Sequence, residues 1–189
     1  MATLSRYNAV AIALHWAIAA LIILMLVMGQ VMEDLPDTLK FTTFVLHKSI
    51  GITILGLSVF RLIWRLMNPP PALPESMKPH EKLLAHAAHW GLYFLMLAMP
   101  LSGWAFVSAL QKYPTVFFWM GEVPFLPLPE GIDKKAMSDL LKEAHELFAN
   151  GAIALIVLHV AAALKHQYID KDTVLARMLP AWMARRARA

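Results

Sequence analysis

The sequence predicts an all-α integral membrane protein, a bundle of four transmembrane helices with both termini in the cytoplasm. Three observations carry this. Charges are scarce, with Asp, Glu, Lys and Arg making up 16% of the 189 residues against 59% hydrophobic ones; a soluble domain carries about 25%. They are also bunched: none falls between Arg6 and Glu33, between Lys82 and Lys112, or between Glu146 and Lys165. A fourth apolar stretch, Phe41 to Met67, is interrupted only by Lys48, Arg61 and Arg65. A hydrocarbon core about 30 Å thick needs roughly 20 apolar residues of helix, so each stretch is long enough to cross it. A soluble bundle with buried central helices would not need so many charge-free runs of membrane length.

The first span is expected at about 8–32. Its apolar run exceeds the about 7–15 residues of a signal-peptide core and no small-x-small site closes it, so it reads as a retained helix. A short turn, Glu33 to Asp37, leads to the second span at about 41–67. Asn68 to Pro79 holds five prolines and reads as an extended linker. The third span is expected at about 82–110 and is followed by a loop over 111–137. The loop's aromatics (Tyr113, Phe117, Phe118, Trp119, Phe125) and prolines predict a cap at the membrane interface. Ser138 is the expected N-cap of the fourth span, at about 138–168. Its first turns are amphipathic, with Leu140, Leu141, Ala144 and Phe148 set against Asp139, Lys142, Glu143 and Glu146. A tail over 169–189 completes a single domain, 1–189, without internal repeats.

Four spans put both termini on one side. That side, comprising the N-terminus, 61–82 and 165–189, carries 11 Lys and Arg against 4 Asp and Glu, or +7. The other side carries 6 against 9, or −3. The positive-inside rule places the termini in the cytoplasm. Arg185, Arg186 and Arg188 add attraction for anionic lipid head groups. The cluster is too short for a nucleic-acid site, and the partner it implies is membrane lipid.

There is no cysteine. Thiolate-bound haem, cysteine-held iron–sulfur clusters and covalent CxxCH haem attachment are thereby excluded, so any haem is b-type. Six of the eight histidines fall within or at the margin of the spans: His15, His47, His86, His89, His145 and His159. Ionisable residues inside a membrane are costly and mark function by default. One such histidine is readily a packing residue; six are not.

His145 and His159 are 14 residues apart, about 21 Å along a helix and only some 40° short of four full turns. They share a face, one near each membrane surface, so one helix can give a ligand to each of two stacked haems. Depth then selects their partners. His15 lies about 13 Å in from Arg6 and His159 about 9 Å in from Lys165 on the same side. His47 opens the second span on the opposite side, at the depth of His145. The expected iron-ligating pairs are His15/His159 for the cytoplasmic haem and His47/His145 for the outer one. His86 and His89 enter from the cytoplasmic side, near the level of His15 and His159. Spaced i,i+3 they share a face. Either can replace a ligand, with His89 the stronger substitute because it lies deeper, or bond a propionate or a quinone. Arg61, 14 residues from His47, can pair with a propionate of the cytoplasmic haem and Lys48 with one of the outer haem; snorkelling to head groups is the plainer alternative. Gly51 and Ala152 leave room for a flat macrocycle or for close helix packing.

These stretches together resemble the bacterial cytochrome b561 family and, within it, the small superoxide:ubiquinone oxidoreductases. The likeness rests on Leu14-His15-Trp16, Leu46-His47-Lys48-Ser49-Ile50-Gly51 and Leu84-Ala85-His86-Ala87-Ala88-His89. It continues in Met99-Pro100-Leu101-Ser102-Gly103, His145-Glu146, Leu158-His159 through Lys165-His166, and Lys171-Asp172 through Arg177-Met178-Leu179-Pro180. The b-type subunits of membrane hydrogenases and formate dehydrogenases are similar in histidine placement. The resemblance implies two bis-histidine haem b groups in a bacterial inner membrane. It also implies electron flow from a small-molecule periplasmic donor, superoxide in the nearest members, to ubiquinone. It makes His166 and the helix 3 histidines candidates for the quinone site.

Two rivals stand beside this. One is an electron-transfer subunit serving a partner dehydrogenase or hydrogenase. The other is a histidine-based proton or metal transporter, against which count the missing inverted repeat and broken helices.

Overall fold

The computed structural model describes residues 6–111 and 115–186; Lys112, Tyr113 and Arg188 lie outside these, as do the side chains of Arg185 and Arg186. Four helices are long and apolar enough to cross a membrane: α1 (Ala9–Val31), α2 (Asp37–Met67), α3 (Pro79–Leu110) and α4 (Lys134–Tyr168). The spans match the predicted four, and three of them begin earlier than expected. In α2, Pro36 occupies the N-cap and Asp37 sits in the first turn, where a carboxylate opposes the positive end of the helix dipole. In α3, Pro79 takes the first helical position and the Glu81 carboxylate accepts the Lys78 N–H at 3.0 Å. His80, just before the expected start of this span at 82, therefore opens the helix and is exposed. In α4 the N-cap is Asp133, whose carboxylate accepts from the N–H groups of Lys135 and Ala136. Ser138 is inside the helix and buried. The common cause is that a helix can run on past the bilayer surface with polar residues, whereas hydropathy marks only the part in lipid.

The loop after α3 is more ordered than a chain of aromatics and prolines suggests. It forms an antiparallel hairpin of β1 (Thr115–Phe117) and β2 (Gly121–Val123), with Thr115 opposite Val123 and Phe117 opposite Gly121. Phe118 and Trp119, the first two of the three residues between the strands, turn it with φ of 45° and 60°, and the Met120 N–H closes the turn on the Phe117 carbonyl at 2.9 Å. Two buried serines fasten it to the bundle. The Ser49 hydroxyl faces the Val116 carbonyl at 3.0 Å and accepts the Phe118 N–H at 2.9 Å. The Ser108 hydroxyl accepts the Leu126 N–H at 2.9 Å, and the Trp104 indole N–H donates to the Pro124 carbonyl.

At the other end the tail folds back as a 3-10 turn (Leu175–Arg177) and a short helix α5 (Ala181–Arg186). The Trp16 indole donates to the Met178 carbonyl, Arg6 to that of Leu179, and Arg177 to that of Ala72. N-terminus, proline linker and tail are thus knitted together.

Within the bundle α4 packs chiefly on α3, α3 on α2, and α2 on α1; α4 makes no extensive packing with α1 or α2. Small side chains such as Ser58 and Ala152 are buried between helices, which lets backbones approach in a membrane interior. Ile23, Val27, Leu66 and Phe94 face outward, as lipid contact demands. The gap between α4 and the α1–α2 pair is where the histidines meet.

Candidate functional site

The sequence-predicted pairs are brought together across that gap. The rings of His15 (α1) and His159 (α4) have centres 6.3 Å apart. Those of His47 (α2) and His145 (α4) are also 6.3 Å apart, at the hairpin end. Two imidazoles that grip one metal ion from opposite sides, with metal–nitrogen bonds of about 2.0–2.1 Å and nitrogens roughly 1.1 Å from the ring centre, stand about 6.2–6.4 Å apart. Both separations fit. His89 also reaches His159, with ring centres 5.5 Å apart, which is short for two ligands of one metal ion. His86, one turn before His89 on α3, is exposed.

Each pair has its own surroundings. At the hairpin end a cavity of about 630 Å³ opens between the four helices, lined by His47, His145, Lys48, Gly51 and Ala152 among others. That is within the about 300–1,000 Å³ of cofactor pockets. His145 Nδ1 donates to the Met99 carbonyl at 2.9 Å, and the Ser102 hydroxyl, 3.2 Å from the same nitrogen, donates to that carbonyl too. With Nδ1 carrying the proton, Nε2 is left with a free lone pair, the arrangement a metal-binding histidine uses. Gly103 makes this possible: a β-carbon there would sit 3.0 Å from His145 Cε1. Gly51 is less constrained, since its β-carbon would make only an ordinary 3.7 Å contact with Met25. His47 Nδ1 is buried without a hydrogen-bond partner.

At the termini end the interior holds a cation. Arg61 Nη2 lies 3.3 Å from His15 Nδ1, and its Nε donates to the Tyr93 hydroxyl at 3.2 Å. Nη1 is buried with no partner, a guanidinium fork with one tine free for an acceptor such as a carboxylate. Arg65 stacks over Trp90 and Tyr93, 5.9 and 5.4 Å from the ring centres. His166 is only 8% exposed, with the tail folded against it. Its Nδ1 donates to Asp172 at 2.7 Å and lies 3.1 Å from Asp170, while Lys165 bridges Asp170 and Glu81 at 2.6 and 2.9 Å.

Sequence reasoning missed Tyr93, Ser102, Gly103 and the Met99 carbonyl as parts of these sites. Met99-Pro100-Leu101-Ser102-Gly103 stood out only as part of the resemblance, because a carbonyl acceptor and a missing β-carbon have no signature in side-chain chemistry.

Four membrane-length helices that bring two pairs of imidazoles together at two levels have the frame of a membrane cytochrome. The chain belongs to the prokaryotic cytochrome b561 family, whose family model it matches over residues 6–181. It is 36% identical to cytochrome b561 homolog 2 of Escherichia coli over 94% of this chain and 93% of that one. It is 31% identical to a probable superoxide oxidase, CybB, of Yersinia pestis, over 93% and 96% respectively. Membership makes it a bacterial membrane electron-transfer protein with an oxidoreductase role, and implies b-type haem.

Proposed function

We propose that this protein is a di-haem b-type cytochrome of the bacterial inner membrane that passes electrons from a periplasmic donor, superoxide foremost, to ubiquinone. The observation that carries the proposal is the equal 6.3 Å spacing of two histidine pairs sharing α4. Haem bound there supplies one-electron redox chemistry. His15 with His159, and His47 with His145, would hold the two haems. The Nη1 of Arg61 and the Tyr93 hydroxyl would receive a propionate at the inner site, and Lys48 would receive one at the outer site. His89, set against His159, and His166, with its proton shared toward Asp172, border the quinone site at the cytoplasmic end; the exposed His86 lies farther out. Two superoxide anions give up two electrons and leave as dioxygen, while ubiquinone takes up two electrons and two protons. The likeness to a probable superoxide oxidase supports the donor.

The deciding experiment supplies superoxide to purified haem-loaded protein and follows ubiquinone reduction, with haem counted per chain. Quinol formation with two haems per chain is expected. No quinol would remove superoxide from the proposal, and no reducible b-type absorption would remove the cytochrome itself.

A second reading, an electron-transfer subunit for a partner dehydrogenase or hydrogenase, is favoured by one observation. The side bearing the hairpin carries −3, which repels an anionic donor beyond the reach of Lys48 and Lys142. Co-purification with a soluble redox subunit would favour this reading over a free-standing oxidase.

A further inference from the structure

The two histidine pairs are alike in spacing and opposite in electrostatic surroundings. At the hairpin end the His145 N–H gives its hydrogen bond to a carbonyl oxygen, which makes the imidazole a more basic, more electron-donating ligand and favours oxidised iron. The charged residues lining that cavity are Glu33, Asp34 and Glu146 against Lys48 and Lys142. Lys142 already faces both Glu33 and Glu146, at 3.7 and 3.6 Å. At the termini end the neighbour of the His15 ring is the Arg61 guanidinium, with Arg65 stacked behind it on Tyr93. Three of the four acids of that end are engaged elsewhere, Glu81 and Asp170 by Lys165 and Asp172 by His166, and the fourth, Glu75, is exposed in the linker. A half-buried cation beside the ligand favours the reduced, less positive iron.

Resting on the di-haem proposal, we infer that Arg61 makes the inner pair the higher-potential site and the Met99–His145 bond makes the outer pair the lower one. Electrons entering at the hairpin end therefore run downhill to the end that bears the termini. Beside the propionate contact proposed for its Nη1, Arg61 tunes the pair through the charge that its Nη2 places 3.3 Å from His15 Nδ1.

The test is potentiometric titration of the haem-loaded protein in detergent, read by haem absorbance. Two waves are expected. In Arg61→Gln the upper wave falls, shifting the distribution of electrons between the pairs roughly tenfold, about 59 mV for a one-electron couple, while the lower wave stays. Arg61→Lys, which keeps the charge, restores most of the shift. In His145→Ala, which takes a ligand from the outer pair, the wave that remains is the upper one. Movement of the lower wave in Arg61→Gln, or of neither, overturns the inference, as does survival of the lower wave in His145→Ala. Where Arg61→Gln does not retain haem, His145→Ala decides. Fewer than two haems per wild-type chain overturns the di-haem proposal and this inference with it. A reversed order of potentials overturns the inference alone.

Discussion

At the hairpin end, His47 and His145 face each other across a cavity of about 630 Å³, with a glycine and a carbonyl shaping one ring and a fastened hairpin above. At the termini end, His15 and His159 stand at the same separation, but Arg61, Tyr93 and His89 crowd around them and the tail is folded over the outside. One helix thus presents two imidazoles in the same way, and its neighbours give them different surroundings. Spacing along α4 fixes where the two imidazoles stand. The residues on α2 and α3 decide what surrounds them.

The sharpest way to break the comparison is to ask which imidazoles at the crowded end bind iron. His159→Ala is expected to lose the inner haem and keep the outer one, halving the haem per chain. His89→Ala is expected to keep both, because its ring centre, 5.5 Å from that of His159, is closer than two ligands of one metal ion stand. Haem extraction against protein concentration checks this. The opposite pattern would make His89 the ligand and His159 its neighbour.

A smaller effect is expected from the room given to His145. Gly103→Val places a β-carbon 3.0 Å from His145 Cε1 with two methyl groups beyond it. The ring is forced off the Met99 carbonyl, and outer-haem affinity should fall about 10–100-fold, the usual cost of a lost supporting bond at a metal ligand. Gly29→Ala, whose β-carbon would meet His47 Cε1 at 3.8 Å, should bind haem as the wild type does. Haem titration of the apoprotein separates the two.

This contrast also shows what could be read from the chain. Charge-free runs gave all four spans, since a membrane rewards composition over a whole helix. The pairings of His15 with His159 and of His47 with His145 could be reached because helical rise converts residue number into depth. Asp133 was overlooked as a cap because Ser138 stood nearer the apolar run, and helix beyond the bilayer has no hydropathy signal. The burial of His166 depends on a tail that returns through backbone contacts such as Trp16 to the Met178 carbonyl, which no periodicity announces. The docked hairpin was equally hidden: its anchors, Ser49 and Ser108, look like any small residue in a span.

Those anchors define the next effect in size. Ser49→Ala removes a fully buried hydroxyl that meets both the Phe118 N–H and the Val116 carbonyl. Leaving them unpaired should cost about 1–3 kcal/mol. The loss should appear as faster amide exchange in 115–123, with α4 and the termini end unchanged. Uniform acceleration across the bundle would mean that the hairpin does not open as a separate unit.

The smallest expected effects lie at the helix caps, where the two ends again differ. Asn8 Oδ1 accepts the Ala11 N–H at 2.9 Å and also the Trp64 indole N–H at 3.1 Å, so this cap ties α1 to α2 at the termini end. Asp133 Oδ1 accepts two N–H groups of its own helix, those of Lys135 and Ala136, and reaches no other element through them. Replacing either by Ala should cost about 0.5–2 kcal/mol. Asp133→Asn should recover most of the loss, since an amide oxygen caps as well as a carboxylate. The two Ala variants should differ in where the loss falls. Asp133→Ala frays the first turn of α4 alone, whereas Asn8→Ala loosens the start of α1 together with the end of α2 around Trp64. Amide exchange confined to α1 in Asn8→Ala would show that the indole bond does not couple the helices, and that the termini end is held by its tail instead.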